Sequence, residues 1–195
     1  MTPTFVLGNG LSRQKIDPNL LKSLGQVYGC NAIYRDFTPH VLISTDPPIS
    51  LRIQAEGYSK ENRHYTRKPL ADSGAFRLAQ QYFGFSSGPA AVGQAALDGA
   101  KVIYLIGFDM GPNRTGRFNN VYADTEFYKK SSANPTFTGN WVRQIKQIAK
   151  DFPKCNFIRV VGETTAKLPE LEAIPNMLHM PMADFENRIN NTKEL

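Results

Sequence analysis

The feature that most constrains this chain is a rhythm of short apolar runs, each stopped by a polar turn residue and followed by a helical stretch. Thr4–Leu7 ends in Gly8-Asn9-Gly10, Val27–Cys30 in Asn31, Val41–Ser44 in Thr45-Asp46-Pro47, and Lys101–Ile106 in Gly107-Phe108-Asp109. Each run has strand length, and Gly, Asn and Asp break strands and start turns. Between the runs the pattern predicts helices over Pro18–Leu24 behind an Asp17 cap, within Ser73–Phe83, over Ser87–Asp98 and over Asn140–Lys150. A last strand is predicted at Asn156–Val161. Strands that alternate with helices pair in parallel, so the expected architecture is α/β: one Rossmann-like, doubly wound domain with a mostly parallel sheet. Val102–Ile106 is apolar almost throughout, as suits a strand covered on both faces, and is expected at the sheet centre. Ser87–Asp98 combines a capping Ser87, Pro89 in the first turn, small apolar residues and Gly99 as a stop, so this helix can lie close against a sheet or a ligand.

A length of 195 residues suits a single domain with its own core. Cys30 and Cys155 are too few for a disulfide framework or a zinc quartet, and read as buried thiols in a reducing compartment. No apolar run approaches membrane-spanning length, and Met1-Thr2-Pro3-Thr4 has no signal-peptide character. A cytoplasmic protein without a transmembrane anchor is expected. The net charge of +6 is unevenly spread: residues 1–162 carry 20 Lys and Arg against 11 Asp and Glu, whereas residues 163–195 carry 3 against 6. This divides the chain into a basic nucleotide-binding body, 1–162, and an acidic C-terminal tail, 163–195, packing on the same domain. A basic body suits a phosphate-bearing partner, whether nucleotide, nucleic acid or anionic surface, and equally serves solubility. The densest basic stretch, Lys60–Lys68, is expected to be a solvated loop, with a nucleic-acid contact as the alternative. The oligomeric state is left open.

In a parallel sheet the residues that end the strands share one carboxyl edge, where such folds hold their ligands. That edge gathers Asn9, Asn31, Asp46 and Asp109. Gly8-Asn9-Gly10, with Ser12 behind it, offers unhindered N–H groups for a phosphate or ribose, or else is simply a tight turn. It lacks the Gly-x-Gly-x-x-Gly fingerprint, because position 13 is Arg13, and no Walker lysine follows. Ser86-Ser87-Gly88 opens the small-residue helix, and is either an anion cradle at the positive end of its dipole or a plain cap. His40, His64 and His179 have neither metal spacing nor a nucleophile partner, and read as surface or core residues. Asp109 and Asp124 lack metal-binding spacing, so no metal site is expected. The polar segment from Asp109 to Asn140 is long enough to be functional or mobile.

Two blocks of residues carry a family resemblance. Phe5-Val-Leu-Gly-Asn-Gly-Leu-Ser-Arg-Gln-Lys-Ile-Asp17 with Gly29-Cys30-Asn31-Ala32-Ile33-Tyr34, and Ser87-Gly88 through Gly107-Phe108-Asp109, resemble the bacterial lipooligosaccharide sialyltransferases. The same blocks recur in an uncharacterised family linked to hydroxymethylpterin diphosphokinases. The resemblance implies metal-independent transfer from a CMP-type sugar nucleotide to a saccharide acceptor, with no tightly bound cofactor. It assigns the nucleotide site to the Gly8-Asn9-Gly10 turn, Asn31, Ser86, Ser87, Gly88, Gly107 and Asp109. This chain departs from the family at Asp46, where the family has an Asn, and at Gly84, where the family has an Arg. It departs again at Gly139-Asn140, where the catalytic His falls, and asparagine cannot act as a base. The missing chemistry is therefore expected from Asp46, Asp109 or Asp124 as base, and from Arg114, Arg117 or Lys129 on the departing phosphate. Asp46, Asp109, Arg114 and Arg117 are the chosen candidates. Tyr122 and Tyr128 are candidates to replace the family's phosphate-supporting tyrosines, and the Asp109–Asn140 segment is expected to close as a lid. A nucleic-acid-binding or DNA-modifying protein, and a nucleotide-binding protein without transferase activity, are the alternatives on the same fold.

Overall fold

The computed structural model describes residues 1–191; the last four residues of the acidic tail lie outside them. Eight strands form one sheet: β1 (Thr4–Leu7), β2 (Gln26–Cys30), β3 (Val41–Ser44), β4 (His64–Thr66), β5 (Phe76–Arg77), β6 (Val102–Ile106), β7 (Asn156–Val161) and β8 (Met177–Pro181). Their order is β5-β4-β3-β2-β1-β6-β7-β8, and every pairing is parallel. The chain winds outward from β1 to β5 on one side, then returns past β1 to continue through β6, β7 and β8 on the other. The winding direction reverses between β1 and β6. That junction is where ligands of doubly wound folds bind.

Both faces of the sheet are covered, which explains why the inner strands read as apolar runs. On one face lie α4 (Ser87–Leu97) and α5 (Gly139–Asp151). Their Ala90, Ala91, Ala95, Ile145 and Ile148 pack over Val6, Ile43, Ile103 and Leu105. On the other lie α1 (Pro18–Leu24), α2 (Pro47–Ala55) and α7 (Met182–Asn190), whose Leu21, Ile49, Ile53, Phe185 and Ile189 cover Phe5, Leu7, Leu42 and Tyr104. Full burial of an aliphatic or aromatic side chain of this kind stabilises the fold by roughly 1.5–3 kcal/mol. Two four-residue helices, α3 (Tyr58–Glu61) and α6 (Pro169–Glu172), complete the connections.

Several expected elements hold closely. Helix α1 starts at Pro18, and the Asp17 carboxylate accepts a hydrogen bond from Asn19 N at 2.9 Å. Helix α4 differs in its cap, which falls on Ser86, one residue earlier than expected. No helix forms within Ser73–Phe83. Phe76–Arg77 pairs with β4 instead, and only a single 3-10 turn follows at Gln80–Tyr82. The preceding turn is held by the Gln54 side-chain oxygen, which accepts from Leu70 N at 2.7 Å and Ser73 Oγ at 3.0 Å.

The basic stretch Lys60–Lys68 is the clearest correction. It is not a solvated loop, because its middle is strand β4, and His64 is fully buried between Ser44 Oγ, 2.6 Å from Nε2, and Ser59 Oγ, 2.7 Å from Nδ1. The inward alternation of His64 and Thr66 sits inside a run of charged neighbours that hides it. Burial pushes the His64 imidazole down to about 4 from an ordinary 6.5. The unfolded chain therefore takes up this proton more readily than the folded one, and stability falls as pH drops from about 6.5 toward about 4. His64 should withdraw about 2 kcal/mol at about pH 5 relative to about pH 7.5. Urea denaturation of the wild type and a His64→Gln variant at both pH values checks this: the wild-type advantage should shrink by that amount in acid, and a constant difference would contradict it.

Candidate functional site

The site begins where β1 and β6 end. Gly8 N donates to Ile106 O at 2.8 Å and Gly10 N to Gly107 O at 2.9 Å, which knits the two strand ends together beyond the sheet. A Cβ at Gly8 would lie 2.6 Å from Gly107 O, and one at Gly107, whose φ is +77°, would lie 2.6 Å from Gly8 O. A side chain at either position would collide with backbone, which cannot yield as a flexible side chain could. Above this contact opens a cavity of about 390 Å³. It gathers Gly8, Asn9, Gly10, Asn31, Ser86, Ser87, Gly88 and Gly107 in one place, together with Asp46 and Asp109.

Two strand ends and a helix start are tied at its centre. Ser87 Oγ donates to Asn31 Oδ1 at 2.9 Å, accepts from Thr45 N at 2.9 Å, and lies 2.8 Å from Thr45 Oγ1. Asn31 takes a left-handed backbone, φ +52°, to turn out of β2. With its oxygen engaged by Ser87, its Nδ2 remains as a donor at the cavity wall. Asn9 is spent differently. Its Nδ2 donates to Cys30 O at 3.1 Å, and its Oδ1 accepts from Arg13 Nη2 at 3.4 Å. The first N–H groups of a helix have no intrahelical partner. At α4, Ser86 N is taken by Gln144 Oε1 at 2.9 Å and Pro89 has none, which leaves the N–H groups of Ser87 and Gly88, two residues that line the cavity, without an intrahelical partner. Burial pushes the Cys30 thiol up to about 12, so at the cavity floor it remains protonated and inert.

The two cavity carboxylates differ sharply. Asp109, 3% exposed, accepts from Ser12 N (3.1 Å), Ser12 Oγ (2.5 Å), Asn119 Nδ2 (3.2 Å), Thr164 Oγ1 (2.7 Å) and Thr165 Oγ1 (3.0 Å). Five donors fill its acceptor capacity, so it holds the site together. Asp46 is exposed at the cavity edge, and although it stands at the N-cap position of α2 its carboxylate accepts no hydrogen bond among the described residues. Behind Asp109 lies Arg159, 1% exposed on β7. Its Nε and Nη2 donate to Phe108 O (3.1 and 2.9 Å), Nη2 also to Asp109 O (3.1 Å), and Nη1 to Ala166 O (2.8 Å). Desolvation lowers this guanidinium to about 10, so it stays charged at neutral pH. An arginine in an otherwise buried strand run was the available sequence signal for it.

Arg114 and Arg117 do not reach the cavity. Arg114 is ion-paired with Glu163, and Arg117 Nη1 donates to Asn134 Oδ1 at 3.2 Å. Part of the long segment is pinned down. Val121 N donates to Asn9 O at 2.8 Å, Arg13 Nη2 to Tyr122 Oη at 3.0 Å, Arg35 Nη1 to Thr125 Oγ1 at 2.9 Å, and Arg52 pairs with Glu126 at 2.9 Å. Tyr122 and Tyr128 stack at 5.8 Å behind Asn9 and Ala32, outside the cavity, and Asp124 and Lys129 also stand away from it. Sequence reasoning missed Phe137 and Trp141, which line the cavity at the start of α5; Trp141 Nε1 donates to Ser86 Oγ at 2.9 Å. Asn140 lines it too, and no histidine does. Among the described residues no three His, Cys, Asp or Glu side chains are grouped to hold a metal ion, and no helix is long and apolar enough to cross a membrane.

No protein family matches the chain, and no curated protein does. Solved structures do. A point variant of the sialyltransferase Cst-II in complex with CMP is 14% identical with a TM-score of 0.54, over 98% of this chain and 99% of that one. A second CstII variant, described as an alpha-2,3/8-sialyltransferase, is 15% identical with a TM-score of 0.48, over 80% of each chain. The full-length match shows that the chain has a sialyltransferase-like α/β fold.

The Asp109 network makes a direct prediction. Replacing Asp109 by Asn removes the charge that strengthens these bonds and turns one of its two acceptor oxygens into a donor, so urea denaturation should show a loss of about 3 kcal/mol. A loss below about 1 kcal/mol would mean that the network is not what secures the β6 end.

Proposed function

We propose that the chain is a nucleotide-sugar-dependent glycosyltransferase, sialyltransferase-like, with a CMP-type donor in the cavity between β1 and β6. The observation that carries this reading is the convergence of Asn31 Nδ2, the Ser87 and Gly88 N–H groups and the α4 dipole on one cavity of about 390 Å³. A helix start with free N–H groups is an anion site, and here it would take the nucleotide phosphate. The structural neighbour that holds CMP supports the same choice of nucleotide. Trp141 and Phe137 offer aromatic faces at the other wall, and Phe137, which is 78% exposed, has room to close over a bound nucleotide.

Transfer in this reading needs no metal. The acceptor hydroxyl oxygen attacks the anomeric carbon, the bond from that carbon to the phosphate oxygen breaks, and the nucleotide leaves with its charge on the α4 donors. The hydroxyl proton passes to Asp46, whose carboxylate is unoccupied, whereas Asp109 is fully bonded. Residues 1–162 supply the nucleotide contacts, and the described part of the acidic segment, 163–191, reaches Asp109 through Thr164 and Thr165. The buried thiols suit the cytoplasm. Asn140, at the α5 start, favours a second reading, a nucleotide-binding protein without transferase activity.

Trp141 is the only tryptophan and lines the cavity, so its fluorescence reports occupancy. Titration with CMP should give a saturable change, and Asn31→Ala should weaken binding by roughly tenfold. Asp46→Asn should leave CMP bound at least as tightly yet lower transfer from a CMP sugar by roughly 10²–10⁴-fold. No response to CMP or to any other nucleotide rejects the reading, and CMP binding without transfer from any donor selects the second one.

A further inference from the structure

Past Asp46 the rim of strand ends beside the cavity turns cationic, although none of these cations is among the residues that line the cavity itself. Strands β3, β4 and β5 end side by side, with Ser44, Thr66 and Arg77 in one row of the ladder. Neighbouring strands lie about 4.8 Å apart, so Arg67 and Lys68 emerge next to the turn that carries Asp46. Arg67 leans toward the start of α4: its Nη2 donates to Phe85 O at 2.9 Å, one residue before Ser86 in the cavity wall. Its Nε is buried with no hydrogen-bond partner. Arg77 lies over the Phe83 ring at 5.1 Å, and above Gly84, between the two phenylalanines, is open space. Elsewhere Arg52, Arg63 and Arg114 are ion-paired, but among the described residues no carboxylate pairs with Arg67, Lys68 or Arg77.

We infer that this rim is the acceptor subsite, and that Arg67 and Lys68 bind the phosphate or carboxylate of an acidic sugar whose hydroxyl is presented to Asp46. This rests on the glycosyltransferase reading, in which the donor fills the α4 side and the acceptor must approach Asp46 from the remaining side. A lone anion beside Asp46 would be repelled by it. A ligand that carries a hydroxyl and an anionic group at opposite sides of one sugar ring satisfies both neighbours. A guanidinium fork suits such a group, and the orphaned Nε is a buried donor that an acceptor atom would complete.

Calorimetric binding of galactose 6-phosphate, galacturonate and galactose to the CMP-saturated protein tests the inference. At least one acidic sugar should bind about tenfold more tightly than galactose, and which of the two does so identifies the anionic group. Arg67→Gln should cut that preference by about threefold or more, and so should Lys68→Gln, an exposed side chain whose loss leaves the fold intact; CMP affinity should stay within about twofold in both. Equal binding of all three sugars, or an undiminished preference in both variants, overturns the subsite while CMP binding leaves the nucleotide reading standing. Acidic-sugar binding that depends on Arg67 in a chain that binds no CMP overturns the nucleotide reading and keeps the anion site.

Discussion

Between the ends of β1 and β6 two backbones come into contact, and positions 8 and 107 tolerate it because neither carries a Cβ. Each strand pairs on its outer side with another that leads the chain away, β2 in one direction and β7 in the other. The connections therefore diverge above the contact and leave a cleft that side chains do not fill. Everything that lines the cavity is placed by this divergence: Asn9 and Gly10 on one lip, Phe108 and Asp109 on the other, and the start of α4 across the top.

A cleft of this kind exposes polar backbone to a half-buried space, and the chain stabilises it with buried side-chain hydrogen bonds rather than apolar packing. Asp109 gathers donors from Ser12, Asn119, Thr164 and Thr165, which come from distant parts of the sequence. Arg159 caps the carbonyls of Phe108 and Asp109 from below. Such groups are costly if left unpaired and rigid when satisfied, so their completeness fixes the positions of the cavity donors. Among the described residues, Asp46 is the cavity carboxylate that such bonds leave unengaged.

Much of this was legible before any coordinates. Strands that form the buried centre of the sheet announce themselves by apolar runs and by the turn residues that end them, and those residues are the cavity lips, so β1, β2, β3 and β6 with Gly8, Asn31, Asp46 and Gly107 could be read together. Strands at the sheet periphery carry weaker signals. β4 is three residues long among basic neighbours, β5 is two, and β8 mixes His179 with exposed Leu178. Arg114 and Arg117 were chosen for charge and position in a long loop, but Arg114 pairs with Glu163 in another segment and Arg117 with Asn134 seventeen residues further along the same loop, and such pairing leaves no local pattern. Trp141 reaches the cavity through tertiary packing of α5 on α4, a contact that periodicity does not reveal.

The central claim is that a nucleotide occupies the junction of β1, β6 and α4 and draws the α5 start toward it. Hydrogen exchange measured with and without CMP addresses this most directly, because it reports each segment separately. The expected result is slower exchange in residues 8–10, 86–90 and 107–111 together with 136–141, and no change at the outer strand 64–66. Protection confined to segments remote from the cavity, or none at saturating CMP, would contradict it.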